Sequence, residues 1–367
     1  MKKKILAVVL CLAMVLSMAA CANTTANNDA EQGGEEALHF EVIVKSFQST
    51  YWQAAVKGIE QACDELGVTA NTNGPASESD IADQVQMLDD AIAKNPSGIG
   101  LAACDTESVI DSLAKALEAG IPVVCFDTGV PNAPEGSVYA TVATDNLAAG
   151  ACAAENMFPV IEEVVKAATA DAPVRIGEVN QDATAQNIQD RGLGFINKMI
   201  ELCTAAGKKV AVVGNQFYVD ACSDKGDEAT AEVIIEVAVP AQTTVELSAA
   251  EAQNIMAKED TIAIFGSNQV TAEGVITANS TLNVLGTDPA TNVVAAGFDA
   301  GTPQKEAINS GLFIGSVTQS PLMQGYECIK TLYAICQGES VEDYPMNGYW
   351  YDTTNMTDDN IAPNLYD

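Results

Sequence analysis

Nine residues of this chain could together hold a ring of hydroxyl groups, and each stands at the end of, or soon after, a short β-branched run. Lys45, Ser49, Tyr51 and Trp52 follow "FEVIV", Asp127 closes "VVCFD", and Arg191 lies beyond "IGEVN". Asn268 follows "IFGS", Asp299 closes "AAGFD", and Gln319 closes "GSVTQ". Carboxylates, amides and a guanidinium offer paired donors or acceptors in one plane, the geometry that bridges adjacent hydroxyls of a polyol. Tyr51 and Trp52 would add apolar faces for the C–H surface of such a ring, exposed so that a ligand can cover them. The same residue types also serve as helix caps, loop residues and, for Trp52, the first core position of a helix.

The elements that must position these groups alternate regularly. "FEVIVKS" is expected as a strand and "WQAAVKGIEQACDELG" as a helix, because Ala55, Ile59, Ala62 and Leu66 share one face and Gly67 ends it. Strands at "VTANTN", "GIGLAA" and "IPVVCFD" alternate with helices at "IADQVQMLDDAIAKN" and "TESVIDSLAKALEAG". A second series begins after Asp145, with strands at "VRIGEVN", "KKVAVVGNQ", "TIAIFGS", "VVAAGFD" and "FIGSVTQ" separated by helical stretches. Strands spaced by helices imply parallel βαβ units. Two such series imply two doubly wound α/β lobes, each presenting ligand-binding loops beyond the carboxyl ends of its strands. The length agrees, since one core seldom serves more than about 250–300 residues.

The amino terminus carries an address. Met1-Lys2-Lys3-Lys4 precedes an apolar run from Ile5 to Leu16, and Met18-Ala19-Ala20-Cys21 ends it with small residues before a cysteine. That pattern reads as a signal peptide over 1–20 and resembles a lipobox, with Cys21 as the lipidation site. Residues 21–37, nearly all polar, would form a flexible tether. The formal charge of −33 disfavours phosphate backbones, so nucleic acid is not an expected partner. Eight cysteines remain beyond the leader, none in a C-x-x-C pair and most within apolar patterns. Mostly free thiols are expected, with Cys203–Cys222 the pair to check first. The single histidine, His39, adjoins the tether, which argues against histidine acid–base chemistry in a cleft. No phosphate-binding or zinc-protease motif occurs, and neither a metal nor a cofactor is expected. A glycosidase using Asp127 and Asp299 as its carboxylate pair is the enzymatic alternative.

Seven collinear stretches resemble the type I periplasmic sugar-binding proteins of ABC importers, in the ribose and galactose group. They are "KSFQSTYWQAAVKGIE", "IPVVCFDTGV", "VATDNLAAG", "RGLGF", "GSNQVTAEGV", "AAGFDAGTP" and "GSVTQSPLMQGY". The resemblance implies two lobes joined by three crossovers: 38–144 plus 320–349, and 145–319 plus 350–367. It implies that Tyr51 and Trp52 sandwich a sugar ring, with Ser49 or Lys45 near a hydroxyl and Asp127 accepting from the first lobe. Arg191, Asn268 and Asp299 would close from the second, with Gln319 at a crossover. The implied protein is a monomeric, extracytoplasmic, lipid-anchored receptor that hands a monosaccharide or polyol to a membrane permease. A furanosyl autoinducer-type signal, suggested by Lys45, or a nucleoside is the alternative ligand. Two departures stand out: Thr128 replaces an arginine common in ribose binders, and Phe217 to Val239 looks like an insertion. Sugar-responsive repressors share the fold but need a basic DNA-binding headpiece, where this chain has an export signal.

Overall fold

The computed structural model describes residues 37–222 and 224–366. The expected signal peptide, Cys21 and the tether before residue 37 lie outside the described residues. Among the described residues, no helix is long and apolar enough to cross a membrane.

Six strands form the first sheet: β1 (His39–Ile43), β2 (Thr69–Asn73), β3 (Gly98–Leu101), β4 (Val123–Phe126), β5 (Val138–Thr144) and β12 (Tyr344–Met346). Their order is β12–β5–β4–β3–β1–β2, and every pairing is parallel. The second sheet has seven: β6 (Val174–Val179), β7 (Val210–Gly214), β8 (Val233–Ala238), β9 (Thr261–Gly266), β10 (Val294–Phe298), β11 (Phe313–Thr318) and β13 (Tyr349–Tyr351). Its order is β13–β11–β10–β9–β6–β8–β7, parallel except where β13 runs against β11. The central strands β3, β4 and β10 are buried at every position, as a sheet covered on both faces requires. The edge strand β2, "TANTN", has no buried position and no apolar run, which protects the edge from pairing with another chain.

Helices cover both sheets. In the first lobe α1 (Thr50–Leu66), α2 (Ile81–Ala93) and α3 (Ile110–Ala119) follow β1, β2 and β3. In the second, α4 (Asn146–Ala167) precedes β6, and α5 (Gln186–Ala205) and α6 (Gln216–Ala221) follow β6 and β7. After β8, β9, β10 and β11 come α7 (Val245–Met256), α8 (Gln269–Leu282), α9 (Thr302–Asn309) and α10 (Pro321–Cys336). The chain crosses between sheets three times: between Thr144 and Asn146, between Thr318 and Pro321, and between Met346 and Tyr349. The result is a two-lobed α/β fold with doubly wound parallel sheets.

Glycines set how closely the site-bearing helices pack. A Cβ on Gly150 of α4 would lie 2.0 Å from the Arg191 carbonyl oxygen, and one on Gly194 of α5 would lie 2.2 Å from that of Leu147. The two backbones therefore touch, which fixes the helix carrying Arg191.

Two details differ from the sequence reading. "VYATVAT" forms strand β5, although no strand was expected there; it alternates buried and less buried positions beside β12. The segment from Phe217 to Val239, expected to look like an added piece, carries β8, which sits within the sheet, paired on both sides with β6 and β7. In keeping with the free thiols expected, Cys203 and Cys222 are unbridged, as are the other six cysteines in the described residues.

Candidate functional site

The first lobe contributes from the ends of β1 and β4. Ser49 caps α1, its hydroxyl accepting from the Trp52 N–H at 3.5 Å, and so places Tyr51 and Trp52 in the first turn. Asp127, one residue past β4, adopts φ 64°, a left-handed conformation rare outside glycine. That turn directs its carboxylate toward Tyr51 Oη, which donates to Oδ1 at 2.5 Å, and toward Lys45 Nζ, 3.0 Å from Oδ2. Burial pushes the Tyr51 phenol well above its ordinary value, helped by Asp127 and Asp299, so it stays protonated and donates. Burial would lower Lys45, but Asp127, Glu78 and Asp182 around it hold it above the ordinary lysine value. Lys45 is therefore a charged donor at 1 % exposure.

The second lobe repeats the device. Asp299, one residue past β10, has φ 72°. Its Oδ2 accepts from the Gln269 N–H at 3.0 Å, and its Oδ1 from Gln319 Nε2 at 2.8 Å. Burial raises its carboxyl above the ordinary range, while Arg191 and these two donors pull it part of the way back. Arg191 projects from α5 and lies 3.7 Å from the centre of the Phe298 ring. Its Nε and Nη2 donate to Asn146 Oδ1 at 3.1 and 2.8 Å, and its Nη1 to the Ser267 carbonyl at 2.9 Å. Asn268 caps α8 in a reciprocal box with Thr271, and its amide also meets Gln181.

All nine residues singled out in the sequence line one cavity, which encloses about 30 Å³, room for a water or two. Four further polar residues of its wall went unrecognised: Glu78, Gln181, Asn187 and Gln269. Gln181 directly follows the strand-end asparagine of "GEVN", so the strand-end rule could have found it. Glu78 lies in "GPASESD", which reads as a capping loop, and Asn187 begins a helix without any periodic cue. Tyr51 and Trp52 are not exposed as expected. They are 6 % and 2 % exposed, because Trp52 packs edge-on against Phe126 while both rings also line the cavity.

The cavity groups are paired with one another, several across the lobes. Asn187 of α5 accepts from Lys45 Nζ at 3.0 Å and donates to Asp127 Oδ2 at 3.0 Å. Its backbone N–H reaches Thr128 Oγ1 at 3.2 Å. Glu78 accepts from Trp52 Nε1 at 2.8 Å and from Gln181 Nε2 at 2.7 Å. Gln269 Nε2 donates to Thr50 Oγ1 at 3.1 Å. With every polar group paired, the two lobes lie closed on each other.

Two parallel-sheet lobes, crossed three times by the chain and meeting over a buried polar cavity, define the architecture of a two-lobed solute receptor. The chain belongs to the periplasmic binding protein domain family, whose profile matches residues 40–340. It is similar to the D-allose-binding periplasmic protein of Escherichia coli, 32 % identical over 31 % of this chain and 38 % of that one. The matched stretch thus spans well under half of that relative's length. Among solved structures, it resembles an ABC transporter, LacI family transcriptional regulator from Brachyspira murdochii at 31 % identity, with a TM-score of 0.74 over 90 % of this chain and 99 % of that one. It also resembles an ABC transporter solute-binding protein from Agrobacterium vitis with bound D-fucose, at 26 % identity and a TM-score of 0.73 over 89 % and 100 % of the two chains.

Proposed function

We propose that this protein is an extracytoplasmic receptor that captures a neutral monosaccharide or related polyol between its lobes and delivers it to an ABC permease. The observation that carries this reading is the convergence of two aspartates, both held in left-handed turns at strand ends, with Arg191, Asn268 and Gln319 on one buried cavity. Asn187 supports it in detail, since its amide accepts from Lys45 and donates to Asp127, as a sugar hydroxyl would in its place. The cavity wall holds three carboxylates, Glu78, Asp127 and Asp299, against two cations, Lys45 and Arg191, so a neutral ligand suits it better than an acidic one. The relatives named for D-allose and crystallised with D-fucose support a sugar.

In this reading Tyr51 and Trp52 form the wall for the ring's C–H face, and Ser49, Lys45 and Asp127 bind hydroxyls from the first lobe. Arg191, Asn268 and Asp299 bind from the second, and Gln319 binds at the crossing after β11. The lobes comprise 38–144 plus 320–349 and 145–319 plus 350–367, with Tyr349 shared at the last crossing, and they part and close about those crossings. The protein turns nothing over; it binds, closes and releases. Lipidation at Cys21 would tether it to the membrane. The test is a thermal-shift and calorimetry screen of D-allose, D-fucose and other neutral monosaccharides beside glucuronate and glucose 6-phosphate. A bound sugar at about 100 times its Kd should stabilise the fold by about 2.7 kcal/mol, and the acidic sugars should give no shift. Binding of the acidic sugars alone, or hydrolysis of a glycoside, would overturn the reading.

A further inference from the structure

A second and larger cavity, about 520 Å³, adjoins the first. It is lined from both lobes by loops beyond the strand ends: after β1 and β2 on one side, and at the starts of α7, α8 and α9 on the other. Ser49, Glu78, Gln269 and Val270 line both cavities, so the partition between them is one layer of residues. Part of that layer is held by side-chain bonds across the lobes, Glu78 to Gln181 and Gln269 to Thr50, which can part without disturbing a strand or a helix.

The inner cavity alone is far below the roughly 300–1,000 Å³ typical of small-molecule sites, whereas the outer one falls within that range. Its chemistry continues that of the inner site. Hydroxyls of Ser46, Ser77, Thr243 and Thr244 can donate and accept, and Glu273 can accept. Val245, Val270 and Pro303 supply apolar surface suited to the C–H faces of a ring. No lysine or arginine lines this cavity, whereas Glu78, Glu246 and Glu273 do. An acidic group would meet only like charge there.

We propose that the outer cavity is a second subsite, which takes a neutral glycosyl unit linked to the sugar held in the inner one, so that the ligand class extends to glycosides and disaccharides. This rests on the reading of the inner cavity as a sugar site. Calorimetry with the monosaccharide that binds best, its methyl glycoside and its neutral disaccharides with glucose tests both. At least one disaccharide should bind about ten-fold tighter than the monosaccharide, a gain of about 1.4 kcal/mol. Thr243→Trp and Val245→Trp, made separately so that one folded variant suffices, fill the outer cavity and should abolish that gain. Monosaccharide affinity should stay within about two-fold, below the 1.4 kcal/mol that marks ten-fold. If the monosaccharide binds but no glycoside binds as well, the subsite is refuted and the receptor reading stands. A disaccharide gain that survives in both filled variants also refutes it, and absence of binding by every sugar refutes both.

Discussion

Asp127 and Asp299 occupy equivalent places in the two lobes, and their surroundings differ in one respect. Each stands one residue past a buried strand, each has a positive φ, and each backbone N–H reaches the next strand over, at Val142 and Val317. Asp127 is paired directly with a buried cation, Lys45, at 3.0 Å. Both also accept from two neutral donors, Asp127 from Tyr51 and Asn187 and Asp299 from Gln269 and Gln319, but Arg191 acts on Asp299 only through space. The same turn thus serves a carboxylate in a direct charge pair on one side and a carboxylate held by neutral donors on the other. A continuous network links the two through the crossings: Tyr51 Oη lies 3.0 Å from Gln324 Oε1, Gln324 Nε2 is 3.3 Å from Gln319 Oε1, and Gln319 donates to Asp299. The first carboxylate is held by a direct charge pair in addition to hydrogen bonds, and the second by hydrogen bonds alone.

The sharpest way to break this contrast is to remove each carboxylate. Asp127→Ala strands Lys45 without its counter-ion at 1 % exposure and should destabilise the protein by about 3–5 kcal/mol, because an unpaired buried charge is far costlier than a lost neutral bond. Asp299→Ala leaves Gln319 and the Gln269 N–H short of an acceptor, a loss of about 1–3 kcal/mol. Urea unfolding reads both. Adding Lys45→Met to Asp127→Ala should recover most of the stability while leaving sugar affinity lost. Equal losses for the two aspartates, or no recovery in the double variant, would dissolve the distinction.

How these residues could be found in the sequence follows from the same geometry. A buried parallel strand reads as an unbroken apolar run, so "VVCFD" and "VAAGFD" announced both the strands and the polar residue that ends them. The edge strand β12 carries no such run. β12 is three residues, "YPM", and its neighbour β5 alternates instead of staying apolar, so the outer part of the first sheet was not legible. Cavity residues closing apolar runs, such as Asp127 and Asp299, were recognisable; Glu78 and Asn187, placed by tertiary closure, were not. Glu78 and Asn187 face the cavity because the lobes meet there, and nothing within five residues of either encodes that meeting.

Glu78 tests the comparison at intermediate strength, because it joins the aromatic wall of one lobe to Gln181 of the other. Glu78→Ala removes two charge-assisted bonds that exist together only when the lobes are closed. Sugar affinity should fall by about 2 kcal/mol, in keeping with hydrogen bonds to charged groups of about 1.5–3 kcal/mol each when partly offset by water. The ligand-free protein should scatter X-rays as a more extended particle, with its unfolding midpoint little changed. The Gln181→Ala change made on top of Glu78→Ala should cost less than Gln181→Ala alone, since the shared bond is lost only once, leaving the Gln181 contact with Asn268 as the remainder. Additive losses would mean that the two residues act separately and that Glu78 belongs to the first lobe alone.

The smallest effect expected is in pH. Burial raises the Asp299 carboxyl above its ordinary value, whereas Asp127 faces a lysine that keeps its charge. A carboxyl whose folded-state value is raised weakens the fold when ionised, so this group's contribution to stability improves as pH falls through that value. Its service to a ligand runs the other way, because a protonated Asp299 has lost half its accepting capacity. Sugar affinity should therefore decline on acidification from a pH above the ordinary aspartate range, while the folded protein's own stability does not fall with it through Asp299. Replacing Asp299 by Asn should flatten that limb of the affinity profile at a lower plateau; Asp127→Asn should leave the limb in place. A limb that vanishes with Asp127→Asn would assign the titration to the first lobe and reverse the roles given to the two carboxylates.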